Sequence, residues 1–216
     1  MRNKLKFEKI SKKEGFTIIE LLIAMAGFSF VLLLVTVVMI NIGNLYSKGI
    51  NQTRIDDASR TVLDDISTKI KYSKASSYST AGGTLANGTT YLVYCINNSK
   101  FAVSSSISGT NFLRRSTLGT GAVGCPVDTA NDSTSGTDLL PQNSKLAYFN
   151  ITKNGSNFTI NISMVYGNFS NTNISNFSAP PNGIADNFDK IQCNTGTSYQ
   201  YCAVTNLSTV VSSRLN

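Results

Sequence analysis

The sequence predicts an α+β protein: a long N-terminal helix, half transmembrane and half amphipathic, packed on a C-terminal antiparallel β-sheet. An apolar run of about 25 residues extends from Phe16 to Ile40. Beyond this run, apolar residues first recur with a helical period. From Thr90 onward they form short β-type runs separated by turn residues. The 216 residues are enough for one anchor segment and one domain of ordinary size.

The apolar run is long enough to cross a membrane. It contains no proline and one charged residue, Glu20. At about 1.5 Å per residue, a helix of this length spans the roughly 30 Å hydrocarbon core with length to spare. A secretory signal has a shorter apolar core and is cleaved after it, whereas here the small residue Gly15 precedes the run. We therefore expect residues 16–41 to form a retained transmembrane helix.

The helix is expected to continue beyond the membrane over residues 42–72. From Ile55, the apolar residues follow the i, i+3/i+4, i+7 pattern of an amphipathic helix. The opposite face carries two acid-before-base pairs at i, i+4, Asp56 with Arg60 and Asp65 with Lys69. The apolar face needs a cover, which we expect the domain formed by residues 73–216 to provide.

Residues 73–216 are predicted to form an exported β-rich domain with a sheet of about four or five strands. Residues 73–90 are rich in Ser, Thr, Ala, Gly and Asn and are expected to be a surface loop. Residues 119–143 and 166–187 are expected to be irregular. Asn97-Asn98-Ser99 and Asn154-Gly155 are predicted hairpin turns. Strands are expected at Thr90–Ile96, Lys100–Ile107, Lys145–Thr152, Asn157–Val165 and, as an edge strand, Ala203–Ser212.

Composition excludes several functional classes. The chain has no histidine, which rules out Ser-His-Asp and Cys-His catalysis and histidine-based metal sites. Of the formal charge of +7, residues 1–15 supply +4 (six Lys or Arg minus two Glu), which leaves +3 for the remainder. A nucleic-acid partner is therefore weakly supported. The basic N-terminal segment favours a cytoplasmic N-terminus with the C-terminal domain outside.

The four cysteines, Cys95, Cys125, Cys193 and Cys202, all follow the apolar run. An even number on the exported side predicts two disulfides rather than reduced thiols. Cys193 and Cys202 enclose a loop of eight residues, which favours their pairing. Cys95 would then pair with Cys125 by elimination, although four cysteines allow three connectivities. No Cys-x-x-Cys spacing occurs, which argues against zinc or thioredoxin-type chemistry.

The most specific signal in the chain is Lys12-Lys13-Glu14-Gly15-Phe16-Thr17-Ile18-Ile19-Glu20. A charged leader, a glycine, Phe-Thr-x-x-Glu and an apolar helix follow one another in this order. This arrangement closely resembles the class III signal of type IV pilins and pseudopilins, over about residues 9–41. A lone carboxylate in hydrocarbon costs roughly 2.5–3.5 kcal/mol on insertion scales, so Glu20 is expected to have a partner. The simpler alternative is a plain transmembrane helix.

The resemblance implies a role for three residues. Gly15 would end a leader, residues 1–15, that a prepilin peptidase removes, because a residue without a side chain fits such a peptidase site. Phe16 would be the new N-terminus, which in this family is usually N-methylated by the same enzyme. Glu20 would pair with the N-terminal amine of a neighbouring subunit during assembly.

The implied function is structural rather than enzymatic, with no catalytic residue, metal or cofactor. The absence of proline from the apolar run favours a minor pilin or pseudopilin, and the order of elements is similar to that of the larger minor pilins and J-type pseudopilins. Expected partners are the prepilin peptidase, other pilin or pseudopilin subunits, a pilus or secretion assembly platform and, before assembly, the lipid bilayer. The mature subunit would lie in an extracellular filament or at the cell surface.

Three alternatives remain at this point: a major pilin, a non-polymerising membrane-anchored adhesion or binding protein, and a membrane-anchored exported enzyme. The sequence does not choose between pilus, secretion and DNA-uptake machines.

Three further patterns carry less weight. Arg114-Arg115, expected on a loop or strand end, is a weak candidate for contact with DNA. Five aspartates fit no calcium-loop spacing and are expected to be turn residues; they are Asp128, Asp132, Asp138, Asp186 and Asp189. Asn-x-Ser/Thr triplets are expected by chance in so Asn-rich a chain, and we assign no glycan to them. They include those at Asn87, Asn150, Asn157, Asn161, Asn168 and Asn206.

Overall fold

The computed structural model describes residues 15–105, 110–119, 124–167, 174–175, 191–193 and 202–215. One long N-terminal helix is followed by antiparallel sheets, which confirms the predicted α+β fold class. The chain divides into two compact units, residues 1–43 and 44–216. Residues 1–14 of the predicted leader and most of the predicted loop at 166–187 lie outside the described residues.

Helix α1 spans Ile18–Lys71, close to the predicted 16–72. As far as Ile42 it exposes apolar side chains on every face. Two hydroxyls in this part are satisfied by the helix itself, since Ser29 Oγ and Thr36 Oγ1 each donate to a carbonyl one turn back at 2.8 Å. Among the described residues, α1 is the one helix long and apolar enough to cross a membrane, which is consistent with a single-pass anchor.

The later part of α1 is amphipathic, as predicted. Its buried residues recur every three or four positions and are Ile55, Ser59, Val62, Leu63, Ile66, Ser67 and Ile70. Burying a large aliphatic side chain contributes about 1.5–3 kcal/mol, so this face holds the helix firmly to the domain. The expected acid–base pairs along the helix are replaced by other contacts. Asp56 accepts a hydrogen bond from Gln52 at 3.0 Å, and Asp65 pairs with Arg115 rather than Lys69.

The strands form two main antiparallel sheets and one short pair, instead of the single sheet expected. The first sheet has the order β1-β2-β3-β4-β5, the second has the order β10-β7-β6, and β8 pairs with β9. In chain order, the strands are β1 (Tyr78–Thr84), β2 (Thr90–Ile96), β3 (Ser99–Ser105), β4 (Asn111–Thr117), β5 (Thr137–Asp138), β6 (Ser144–Asn154), β7 (Asn157–Tyr166), β8 (Ile174–Ser175), β9 (Gln192–Cys193) and β10 (Ala203–Ser212).

Both predicted hairpins are confirmed. Two residues, Asn97 and Asn98, connect β2 to β3, and Asn97 has a positive φ of 54°. β6 and β7 are joined in the same way through Gly155, whose φ is 62°. Such two-residue turns require left-handed backbone, which asparagine and glycine adopt most readily. Strand β10 has its predicted bounds and lies at a sheet edge, also as predicted.

The prediction of a surface loop at 73–90 is wrong, because β1 lies within it. This edge strand pairs with β2 along its whole length. Gly83 is opposite Tyr91, and a Cβ at Gly83 would lie 2.7 Å from the Tyr91 ring and 2.6 Å from Val127. The ring therefore occupies the space that a side chain would take. A strand built on such a glycine has no alternating apolar pattern in its sequence.

Strand β4 is a second element that the sequence pattern does not indicate. Arg114 and Arg115 lie inside it, not on a loop or strand end as expected. Successive residues of a strand point to opposite faces, so the two arginines extend to opposite sides of the sheet. Charged residues on both faces hide the alternation that identifies a strand.

The main core lies between the later part of α1 and the inner faces of the two sheets. The side chain of Asn111, on β4, joins the sheets. Its amide donates to the Leu146 carbonyl on β6 at 2.8 Å and accepts from the Leu146 N–H at 2.9 Å. This side chain therefore links the two sheets, which are separate among the described residues.

We predict that Gly83→Ala destabilises the domain by roughly 1–3 kcal/mol, because the added methyl group overlaps the Tyr91 ring and Val127. Gly82→Ala is the matched control, since its Cβ would meet only Leu92 at 3.9 Å. The measurement is chemical denaturation of the purified chain in detergent, followed by circular dichroism. Equal losses in the two variants would contradict the close approach at Gly83.

We also predict a loss of stability at high pH that depends partly on Tyr78. Its hydroxyl donates to the Ile151 carbonyl at 2.7 Å, and burial raises the pKa of Tyr78 from 10.0 to about 12. Because the folded-state pKa is the higher one, this stabilisation is complete below about pH 10 and is lost as the pH rises through 12. Tyr78→Phe should therefore make the fall in unfolding free energy between about pH 9 and pH 12 shallower. Tyr72→Phe, at an exposed site, is the control and should leave the slope unchanged. An unchanged slope in Tyr78→Phe would refute the role given to the Tyr78 hydroxyl.

Candidate functional site

The predicted processing residues lie just before α1. Gly15 and Phe16 are in non-helical backbone, and Phe16 is 83% exposed. A Cβ built on Gly15 would meet no atom within 4 Å. The bond between these residues therefore lies outside the helix, ahead of its first turn.

Glu20 has a partner within its own chain. Its Oε2 accepts hydrogen bonds from the Thr17 N–H at 3.0 Å and from Thr17 Oγ1 at 2.9 Å. In return, the Glu20 N–H donates to Thr17 Oγ1 at 3.3 Å. This reciprocal arrangement is a capping box, which satisfies N–H groups that the first helical turn leaves unpaired.

The capping role of Glu20 was not anticipated from its place in the apolar run. The signal for it is present in the sequence as Thr-x-x-Glu immediately before a long apolar segment. The helix N-terminus also attracts a carboxylate through its dipole. One carboxylate therefore has two possible uses, to begin its own helix and to pair with a cation from outside.

The four predicted cysteines form two disulfides, Cys95–Cys125 and Cys193–Cys202, the pairing that sequence spacing favours. The first bond joins β2 to residues 124–136, which we call the covering segment. The second bond joins β9 to the residue that precedes β10. Most of the loop between Cys193 and Cys202 lies outside the described residues.

The covering segment lies on the outer face of the five-stranded sheet, the face turned away from α1. A second apolar cluster is buried there. It comprises Leu85, Tyr91, Val93, Cys95, Ala102 and Phe112, with Leu118, Cys125 and Val127 at its margin. Both faces of the central strands are consequently buried. The segment was predicted to be irregular, but its role as a cover was not predicted.

A charged pair is buried beneath this segment. Lys100 Nζ contacts Asp132 Oδ1, and the two side chains are only 8% and 5% exposed. Asp132 Oδ2 accepts hydrogen bonds from the Tyr91 hydroxyl at 3.1 Å and from the Asp128 N–H at 2.9 Å. Burial, followed by the nearby Asp132 charge, raises the pKa of the Tyr91 hydroxyl. Tyr91 therefore remains a proton donor throughout the physiological range.

The other aspartates of this region have separate partners. The Asp128 carboxylate accepts from the Asn131 side chain at 2.8 Å, and this bond is the main reason its pKa is lowered. Asp138 pairs with Arg114 at 3.5 Å. Within the described residues, no group of three or more His, Cys, Asp or Glu side chains is arranged to hold a metal ion. Asp186 and Asp189 lie outside the described residues.

The two arginines of β4 are engaged within the domain. Arg115 donates to both carboxylate oxygens of Asp65 at 2.7 Å and so links β4 to α1. Arg114 donates to the Thr134 carbonyl at 2.8 Å and so links β4 to the covering segment. This use of both side chains gives no support to the idea of a DNA-contacting pair.

Beside the Arg115–Asp65 pair is an open groove of about 530 Å³. Its lining is mainly apolar and includes Val62, Leu139 and Leu140. Although Arg115 and Asp65 also line it, they neutralise each other. Asp138, which also lines the groove, pairs with Arg114.

Several Asn-x-Ser/Thr triplets lie on the outward face of the three-stranded sheet. Residues two apart share a strand face, so each triplet places its asparagine and its hydroxyl on one side. Ser163 donates to Asn206, Ser208 to Asn161 and Ser212 to Asn157, each at 2.6 Å. The triplets thus form cross-strand polar pairs. Asn168 lies outside the described residues.

The chain matches no protein-family model, and it is not significantly similar to any curated protein or solved structure. A long apolar N-terminal helix followed by antiparallel sheets is consistent with a pilin-like architecture.

Proposed function

We propose that this protein is a structural subunit of a type IV pilus-like filament or of a related secretion machine, a minor pilin or pseudopilin. The observation that carries the proposal is the N-terminal arrangement. Gly15 lies on non-helical chain ahead of a capped helix start, and that helix then exposes an apolar surface on all sides. An enzyme would have no evident need for this combination.

In the proposed mechanism, a prepilin peptidase removes residues 1–15, and the mature subunit waits in the membrane with its C-terminal domain outside. An assembly platform then moves the apolar part of α1 from lipid into contact with the same part of other subunits. The apolar surface is covered in both states, so transfer does not expose it to water. Repetition of one head-to-tail contact yields an open helical filament.

The Thr17–Glu20 capping box refines the proposed role of Glu20. In the precursor, the carboxylate caps its own helix. Cleavage places a positive amine on Phe16, next to the capping residue Thr17. A carboxylate fixed at the helix start could then also accept the amine of an adjacent subunit. Each charge is costly in a low-dielectric environment unless it is paired, so this contact would set the register between subunits.

We predict that the membrane-extracted mature protein begins at Phe16, as determined by N-terminal sequencing. Gly15→Val should leave the precursor uncut and unassembled, because a branched side chain would obstruct the peptidase site. Gly27→Ala is a matched control elsewhere in the same segment, where an added Cβ meets no atom within 4 Å. A mature protein that still begins at Met1 would contradict the proposal and favour a non-polymerising membrane anchor.

We predict that Glu20→Gln is inserted and cleaved nearly as well as wild type but is largely lost from sheared filaments and from co-purification with other pilins. Glutamine can still form a capping box, so this change removes the charge while it retains the cap. Thr17→Val is the complementary control. It removes the capping hydroxyl, at a cost of about 1 kcal/mol, and retains the carboxylate.

The two variants separate the two uses of Glu20. If charge pairing drives assembly, Thr17→Val should be incorporated far better than Glu20→Gln. A loss in Thr17→Val together with wild-type incorporation of Glu20→Gln would show that Glu20 acts through its helix cap, and it would refute the pairing.

A further inference from the structure

We propose that Lys100 and Asp132 become joined by an intramolecular isopeptide bond, an amide between the lysine Nζ and the aspartate Cγ. The site lies on the outer face of the five-stranded sheet, beneath the covering segment. It is a self-modification that is independent of the N-terminal processing and of filament assembly.

The fold brings the two side chains together from distant parts of the chain. Lys100 is on β3, directly opposite Cys95 of β2. Cys95 holds the covering segment through its disulfide with Cys125, and the turn that follows places Asp132 over β3. The Lys100 amine and the Asp132 carboxyl are therefore in contact whenever the domain is folded. Holding two reactants in place in this way can supply roughly 7–11 kcal/mol of a reaction barrier.

Both side chains are shielded from water. They are at least nine-tenths buried, next to an apolar cluster that includes Phe112 and the Cys95–Cys125 disulfide. The proposed reaction begins with the transfer of one proton from the ammonium to the carboxylate, which removes both charges. The products are a neutral amine, which is a nucleophile, and a carboxylic acid, which is an electrophile.

The two carboxyl oxygens of Asp132 are in different environments. Oδ1 contacts the lysine amine, whereas Oδ2 accepts hydrogen bonds from the Tyr91 hydroxyl at 3.1 Å and the Asp128 N–H at 2.9 Å. Two donors on one oxygen form an oxyanion hole, since negative charge grows on Oδ2 when the amine attacks Cγ. In the proposed reaction, Oδ2 therefore remains as the carbonyl oxygen of the amide and Oδ1 leaves as water.

The step balances without any co-reactant. The Nζ lone pair attacks Cγ, and a tetrahedral intermediate forms with its charge on Oδ2. The Cγ–Oδ1 bond then breaks. Oδ1 already carries the carboxyl proton, takes one proton from the former amine and departs as water. The product is a neutral amide whose carbonyl oxygen is Oδ2, still bound by Tyr91 and Asp128. No oxidation or reduction occurs, in contrast to the adjacent disulfide.

The test is the intact mass of the purified full-length chain after denaturation and reduction of the disulfides. We expect the wild-type protein to be lighter than its sequence by the mass of one water molecule. Lys100→Met should have the full mass calculated for its own sequence. A protease digest of the wild type should contain one branched peptide that joins the Lys100 segment to the Asp132 segment. Such a peptide would survive reduction.

A wild-type protein of full mass would overturn the proposal and leave an ordinary buried ion pair. The loss of one water without a branched peptide would also overturn it, because an internal aspartyl succinimide has the same mass. The wild-type measurement stands even if a variant fails to fold.

The role of the oxyanion hole is tested through the rate. Tyr91→Phe should slow the appearance of the lighter species after refolding by about a hundredfold, because it removes one donor to Oδ2. Tyr94→Phe is the control, since Tyr94 belongs to the main core on the opposite face of β2. Equal rates in Tyr91→Phe and Tyr94→Phe would refute the role given to Tyr91.

Discussion

The burial of one face of α1 by the two sheets is the contact on which the rest of the domain depends. Ile55, Ile66 and Ile70 have no exposed surface, and side chains from both sheets surround them. Within the domain, the buried residues of the helix begin at Ile55. The earlier part of the helix has an apolar surface, which is consistent with a single-pass membrane anchor.

The elements predicted correctly from sequence are those whose signals are local. The apolar run, the helical spacing from Ile55 and the turns at Asn97 and Gly155 each depend on a few neighbouring residues. Strands β1 and β4 are not predicted in this way, because contacts with other elements of the fold stabilise them. Gly83 acquires its cover from Tyr91 on the next strand, while Arg115 is neutralised by Asp65, 50 positions earlier. Tyr91 is eight positions beyond Gly83, across a turn, and Asp65 is 50 positions from Arg115, so neither contact follows from the local sequence pattern.

The same distinction applies to the candidate sites. Gly15, Phe16 and Glu20 are recognisable because the motif that contains them is contiguous. The Thr17–Glu20 capping box is also contiguous in sequence. The resemblance, however, implies a contact of Glu20 with another subunit and does not imply this local contact. The pairing of Lys100 with Asp132 has no sequence signature, since it arises only when a disulfide and a turn place an irregular segment over β3.

The strand order β10-β7-β6 has a consequence for folding during synthesis. The first sheet is a meander whose strands pair with their neighbours in the chain, so it can form as the polypeptide emerges. The second sheet is completed only by β10, the last strand that the structure describes. Until those residues arrive, β7 presents an unpaired edge with a row of free backbone donors and acceptors. A newly synthesised chain is therefore open to strand addition by another molecule until β10 closes that edge.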